Sequence, residues 1–236
     1  MEAQGNQRAV VLFSGGQDST TCPAWALERY AHVETMGFDY GQRHSVELAV
    51  RPRILANIED IKPGWLGRLG SDHVVKLDFA GLTASSLLTG SAEVDREMEG
   101  VPSTFVPGRN LIFLLYAAIL ACRRDIKHII IGACETDYSG YPDCRDDTIK
   151  AMQIAVNLGL QARFAIHAPL MWINKAETWA LAEDIGGSSL IDMIREMSHT
   201  CYAGDREHLQ PWGYGCSACD ACRLREGGWL KYQAQR

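Results

Sequence analysis

Two stretches of this chain combine residue types and spacings that could do chemistry. The first is Ser14-Gly15-Gly16-Gln17-Asp18-Ser19-Thr20-Thr21, directly after the apolar run that ends at Phe13. Glycines let the backbone approach an anion closely. A helix starting there would aim its free amides and the positive end of its dipole at the same anion, and the hydroxyls add donors. The ligand this favours is a phosphate. The stretch lacks the Gly-Lys-Ser/Thr ending of a Walker A loop and the spacing of a G-x-G-x-x-G fingerprint, so neither common nucleotide motif applies. The structural alternative is a plain turn whose Asp and Ser cap a helix.

The second stretch is Cys216-x-x-Cys219-x-x-Cys222, with Cys201 available as a fourth ligand. Three thiolates at this spacing can hold a tetrahedral ion on a short piece of chain. A fourth closes the site, which makes it structural, because a catalytic metal keeps a position open. Such an ion would order a segment with little apolar content of its own. Zinc and an iron-sulfur cluster both suit these ligands and the sequence separates them poorly. A redox dithiol and coincidentally buried cysteines are further readings. Cys22, Cys122 and Cys134 read as small apolar core fillers.

The elements that must position these groups alternate along the chain. Ala9 to Phe13 is a strand, followed by the Ser14-Gly15-Gly16 turn and a helical pattern through Trp25 to Tyr30. Val33 to Phe38 is a second strand, followed by a helix from Val46 bent near Pro52, and Val74 to Leu77 is a third. Ala80 to Thr104 reads as a long loop or lid. The Leu111 to Cys122 run predicts a buried helix. Strand His128 to Gly132, helix Asp146 to Leu158, strand Phe164 to His167 and helix Lys175 to Ile185 complete the body. This order predicts an α/β fold, a parallel sheet with helices on both faces. The composition changes after Ser198, so the expected division is a main domain over 8–198 and a small metal-binding module over 199–236. Trp172 and Trp179 are expected in the core. His32, His73, His128, His167 and His208 show no ligand spacing.

With 236 residues, 47% of them hydrophobic, the chain can bury one sizeable core. Its formal net charge of -6 repels polyanions and no long Lys/Arg run offsets this, so no nucleic-acid partner is expected. Met1 to Gln7 carries no export signal, and the longest apolar run falls short of the ~20 residues that cross a bilayer. A cytoplasmic protein with no membrane partner is expected. Eight cysteines there argue for metal or thiol chemistry over a disulfide framework.

Polar, turn-like stretches punctuate the ends of these elements: Tyr40-Gly41-Gln42-Arg43-His44, Val106-Pro107-Gly108-Arg109-Asn110, Ser139-Gly140-Tyr141-Pro142-Asp143-Cys144-Arg145, Lys175-Ala176-Glu177 and Thr200-Cys201-Tyr202. The S-G-G-x-D-S turn resembles the PP-loop of ATP pyrophosphatases, an adenine nucleotide alpha hydrolase-like, Rossmann-like fold. The whole set, in this order from about Ala9 to Arg225, resembles the 7-cyano-7-deazaguanine synthase family. The resemblance implies ATP, Mg²⁺ and one structural Zn²⁺ per chain as cofactors, and 7-carboxy-7-deazaguanine and ammonium as substrates. It implies adenylation of the carboxylate, displacement by ammonia to an amide, and a second adenylation that ends in the nitrile.

Carried onto this sequence, the resemblance implies that Phe13, Ser14, Gly15, Gly16, Gln17, Asp18, Ser19, Thr20 and Thr21 bind the nucleotide. Asp18, Lys175 and Arg109 become the catalytic candidates. Arg43, His44, Tyr141, Asp143 and Glu177 are candidates for substrate contact, and Cys201, Cys216, Cys219 and Cys222 for the metal. A homodimer is expected by the same analogy. Two departures stand out: Pro23 inside the first helix, and a long Cys201 to Cys216 interval in which Arg206 to Trp212 looks inserted. A PP-loop tRNA thiolase and a zinc-ribbon binding module are the rival readings.

Overall fold

A computed structural model describes residues 7–42, 46–79, 88, 104–136 and 140–236. The lid expected between Ala80 and Thr104 lies, apart from residues 88 and 104, outside the described residues, as do Arg43 and His44.

Five strands, β1 (Arg8–Leu12), β2 (His32–Asp39), β3 (Leu69–Lys76), β4 (His128–Ile130) and β5 (Ala165–His167), form one sheet in the order β3-β2-β1-β4-β5. Every pairing is parallel. β1 is central and buried on both faces, which is why it reads as an unbroken apolar run. Its residues divide by the two-residue strand period. Ala9, Val11 and Phe13 join a core with helices α1 (Gln17–Leu27) and α2 (Val46–Ala56), while Val10 and Leu12 face α3 (Arg109–Arg124) and α4 (Asp146–Gly159).

The chain continues through α5 (Lys175–Met197), a short antiparallel hairpin of β6 (Leu209–Gln210) and β7 (Gly213–Tyr214), and α6 (Asp220–Ala234). α5 runs past the expected end at Ile185 and kinks at Gly187, where φ is 61°. The Arg206 to Trp212 segment supplies β6 and buries Trp212 against Cys201 and Cys222. α6 packs back on α5, with Tyr232 in the same core as Trp179 and α1.

Several expectations change. The α3 helix is half-buried, not buried: Leu115, Tyr116, Ile119 and Cys122 are exposed, so Cys122 is no core filler. Twelve apolar residues in a row cover every face of a helix, and only one face meets the sheet. Trp172 is 63% exposed, whereas Trp179 is fully buried. β3 starts five residues before the expected Val74, because an edge strand tolerates the polar sequence Gly70 to His73. Helix α1 runs through Pro23, well inside it, and the Thr20 amide still bonds the Gly16 carbonyl at 2.9 Å.

Candidate active site

With strand order 3-2-1-4-5, the direction in which strands are added to the sheet reverses between β1 and β4, and ligands of open α/β sheets bind outside the carboxyl ends at that point. A cavity of about 330 Å³ lies there. Ser14, Gly16, Gln17, Asp18 and Ser19 line it from the turn after β1, Tyr40 from the end of β2, Gly132 to Cys134 from the end of β4, and Lys175 from the start of α5.

The turn is cross-braced. The Gly15 amide donates to Ser19 Oγ at 3.0 Å and the Gly16 amide to Ser14 Oγ at 3.3 Å. Gly15 has φ of +100° and lies against the Glu47 carbonyl and Val50, so a side chain is excluded both by conformation and by space. Gly16 is the N-cap of α1 and brings no capping side chain, so the first-turn amides at Asp18 and Ser19, which have no intrahelical acceptor, stay available to an anion. Asp18 does not cap the helix; its Oδ2 accepts from Lys175 Nζ at 2.5 Å. Asp18 Oδ1 and both side-chain polar atoms of Gln17 are buried without a hydrogen-bond partner among the described residues. Buried polar groups are seldom left unpaired, so these atoms fit a polar ligand such as a nucleotide phosphate and its cation.

Thr20 and Thr21 belong to the helix interior. Their hydroxyls bond the Gly16 and Gln17 carbonyls, and neither lines the cavity.

Arg109 forms the opposite wall. Its guanidinium donates to Tyr40 Oη at 3.3 Å, lies 5.9 Å from the Tyr141 ring centre, and leaves Nε buried with no partner among the described residues. Burial works to lower its pKa, but Tyr40, Tyr141, Asp143 and Cys144 outweigh that and raise it, so the cation is held firmly. Tyr141 and Tyr202 share this wall, and burial raises the Tyr202 phenol well above its ordinary value. Cys144 also faces the cavity, its thiol pushed up to about 12 by burial and by Asp143. A fixed cation among phenol rings suits a planar heterocycle bearing a carboxylate.

Behind the turn lies the cysteine cluster. The sulfurs of Cys201, Cys216, Cys219 and Cys222 all lie within 4.8 Å of one another, and Cys216 and Cys222 are 3.9 Å apart. A tetrahedron of metal–sulfur bonds of about 2.3 Å has edges of about 3.8 Å. The donors therefore fit one four-coordinate ion and leave no open coordination position.

Residues 8–233 match a family model described as queuosine biosynthesis protein QueC. The chain belongs to the QueC family. Two relatives, each named 7-cyano-7-deazaguanine synthase, are both 58% identical to it. The protein of Gluconacetobacter diazotrophicus aligns over 228 residues, 97% of this chain and 93% of its own. That of Alkalilimnicola ehrlichii aligns over 231 residues, 98% and 97%. A solved complex of a 4-thiouridine synthetase with RNA and bound ATP superposes with a TM-score of 0.49 at 17% identity, covering 97% of this chain and 50% of that one. That likeness is too loose to bear on function.

Within this QueC-family fold, two sequence candidates for substrate contact hold local structure. Asp143 is buried and its Oδ2 accepts the Asn110 amide at 2.9 Å, fastening the start of α3. Glu177 completes a capping box: its Oε2 accepts the Asn174 amide at 2.7 Å while Asn174 caps α5. Neither lines the cavity. Three further residues lie outside the sequence candidates: Glu47 and His199, which line the cavity, and Arg225, which braces Thr200 behind it. Glu47 stands three residues beyond His44, within reach of a polar stretch already singled out. Arg225 is fully buried; it donates to Thr200 Oγ1, the Ile194 carbonyl and Ser198 Oγ, and burial lowers it to about 10. Nothing local in the sequence marks it.

Proposed function

We propose that the protein is a ligase that converts 7-carboxy-7-deazaguanine and ammonium to 7-cyano-7-deazaguanine with ATP. One observation carries this reading: the family match spans residues 8–233, and the same chain sets a phosphate-type turn facing a buried arginine across one cavity. The turn residues Phe13 to Ser19 hold the triphosphate. Lys175 and Asp18 stand at its reacting end, where Mg²⁺ would neutralise charge on the phosphates. Arg109 pairs with the substrate carboxylate, and Tyr141 stacks on the deazapurine ring. Arg43 and His44 join the substrate wall.

The four-cysteine ion is zinc, one per chain, and structural, as a closed thiolate set favours. Metal analysis of the purified protein should give one zinc per chain and no visible absorbance; iron with a brown colour would refute it. The reading extends to a cytoplasmic homodimer that needs no nucleic acid or membrane. No helix among the described residues is long and apolar enough to cross a membrane. Sedimentation velocity tests the dimer.

The deciding experiment incubates the protein with 7-carboxy-7-deazaguanine, ammonium, Mg²⁺ and ATP and follows nucleobase and nucleotide by mass spectrometry. The cyano product together with AMP is expected. Metal-replete protein that yields neither amide nor nitrile sinks the assignment.

A further inference from the structure

The reaction proposed above strips every proton from the incoming nitrogen, since ammonium enters and a nitrile leaves. Some group in the cavity must accept them. Among the described residues lining it, the carboxylates are Asp18 and Glu47, and Asp18 is taken by Lys175. The phenols of Tyr40 and Tyr202 are raised by burial, and the Cys144 thiol stays protonated for the same reason, so none of them makes a ready base. His199 also lines the cavity, but it is 1% exposed and its Nε2 is 3.1 Å from the Cys201 carbonyl, on the cysteine-cluster side of the turn and away from the Arg109 wall.

Glu47 lies in the first turn of α2, which brings its carboxylate against the phosphate turn. Its Oε1 and the Ser14 hydroxyl each lie 3.5 Å from where a Cβ on Gly16 would sit. The groups facing it are Ser14 after β1, Asp18 on α1, Tyr40 after β2, Arg109 on α3 and Tyr202 beyond α5. It therefore stands between the turn that would hold the phosphates and the arginine that would hold the carboxylate, where the reacting carbon must lie. Burial raises its pKa to about 7, offset in part by Arg109 and Ser14 and reinforced by Asp18. That value suits a group that accepts and releases protons near neutrality.

We propose that Glu47 is the general base that removes protons from nitrogen as the carbon–nitrogen bond forms. The proposal rests on the ligase reading. Ammonium first gives one proton to Glu47, which passes it to solvent, and in the first displacement the lone pair so freed forms the bond to the adenylated carbon. The bond from that carbon to the AMP oxygen breaks with its electron pair, and the cationic nitrogen gives a proton to Glu47, leaving the amide. After the amide oxygen is adenylated, Glu47 takes the remaining N–H protons as the second carbon–oxygen bond breaks and the nitrile forms. It returns each proton to solvent, and no redox partner is needed.

The test uses full-length, metal-replete wild type, Glu47→Gln and Glu47→Asp. Exchange of labelled pyrophosphate into ATP, driven by 7-carboxy-7-deazaguanine without ammonium, reads adenylation alone. In Glu47→Gln it should fall no more than a few-fold, while amide formation with ammonium in a single turnover falls about 10²–10⁴-fold. Hydroxylamine, a nucleophile largely unprotonated at neutral pH, should recover product in that variant, and Glu47→Asp should recover part of the ammonium rate. The wild-type amide rate should rise with pH through about 7, an inflection missing in Glu47→Gln. Amide formation at the wild-type rate in Glu47→Gln overturns the proposal. A parallel loss of exchange and amide formation also overturns it, since Glu47 would then only brace the turn. Wild type that catalyses no exchange with this acid defeats the ligase reading itself, and the proposal with it.

Discussion

Thr200 accepts the amide hydrogen of Gln17 at 3.3 Å, joining the residue beside Cys201 of the cysteine cluster to the first residue of the helix behind the Gly-rich turn. The neighbouring His199 amide donates to the Gly15 carbonyl at 2.9 Å, and Arg225, one turn along α6 from Cys222, donates to Thr200 Oγ1 at 3.2 Å. The cysteine cluster and the turn are thus one mechanical unit, and an ion at the cysteines would stiffen the anion site.

Extraction of the metal should therefore weaken nucleotide binding before the sheet unfolds. Thr200→Val, which strands two buried donors at about 1–3 kcal/mol each, should weaken ATP binding about tenfold or more with the metal in place. Calorimetric titration with ATP and hydrogen exchange over residues 14–20 read both effects. Equal ATP affinity in metal-free and metal-loaded protein would show that the contacts carry no coupling.

Lys175 and Arg109 line opposite walls of the cavity, so their losses should separate. Lys175 Nζ is placed by the ion pair to Asp18 and by Gly228 of α6, which packs directly on the Lys175 backbone. Lys175→Met should lower kcat by at least about 10², the scale of a lost electrostatic contact in a transition state. Arg109→Met should chiefly raise KM for the deazapurine acid, because on the proposed reading it would remove a contact to the substrate made already in the ground state. Steady-state kinetics with each substrate varied checks both, and unchanged constants in either variant remove that residue from the mechanism.

The parts of this site legible in the sequence were those whose chemistry is local. The Gly-rich turn and the Cys-x-x-Cys-x-x-Cys run each carry donors, conformation and spacing within a few residues. Strand β1 was legible because burial on both faces leaves only apolar residues. Arg225 and His199 were not, since their importance comes from packing between segments far apart in sequence. Glu177 and Asp143 carry a role that their position among polar turn residues did not signal: one oxygen of each carboxylate accepts a backbone amide at a helix start. Trp172 shows that a large aromatic near buried neighbours does not report which way its own side chain turns.

Gly37 tests how α2 is held against the sheet. Arg51 is 1% exposed, pairs with Asp72, and lies where any side chain on Gly37 would have to go. Thr35 also donates to Asp72 at 2.7 Å. Gly37→Ala should displace the guanidinium and cost about 1–3 kcal/mol, the usual scale of overpacking a filled interior. Urea unfolding measures it. A midpoint unchanged from wild type would mean that Arg51 moves aside freely and does not fix α2.

Glu47 should leave a signature in stability as well as rate. Its folded pKa of about 7 lies above the ordinary 4.5, so folding favours the protonated form. The resulting stabilisation is complete below about 4.5, declines as pH rises, and is gone above about 7. Glu28 and Glu34 have lowered values, so their contribution is lost as pH falls, which would mask the trend in a single profile. The difference between Glu47→Gln and wild type cancels those groups. Glutamine stays uncharged, so the variant should gain stability relative to wild type as pH rises from 5 to 8. Urea midpoints at the two pH values measure the gain. A difference that is constant with pH would place the Glu47 titration outside this window. A loss at high pH would mean that attraction to Arg109 outweighs burial, with the carboxylate ionised throughout.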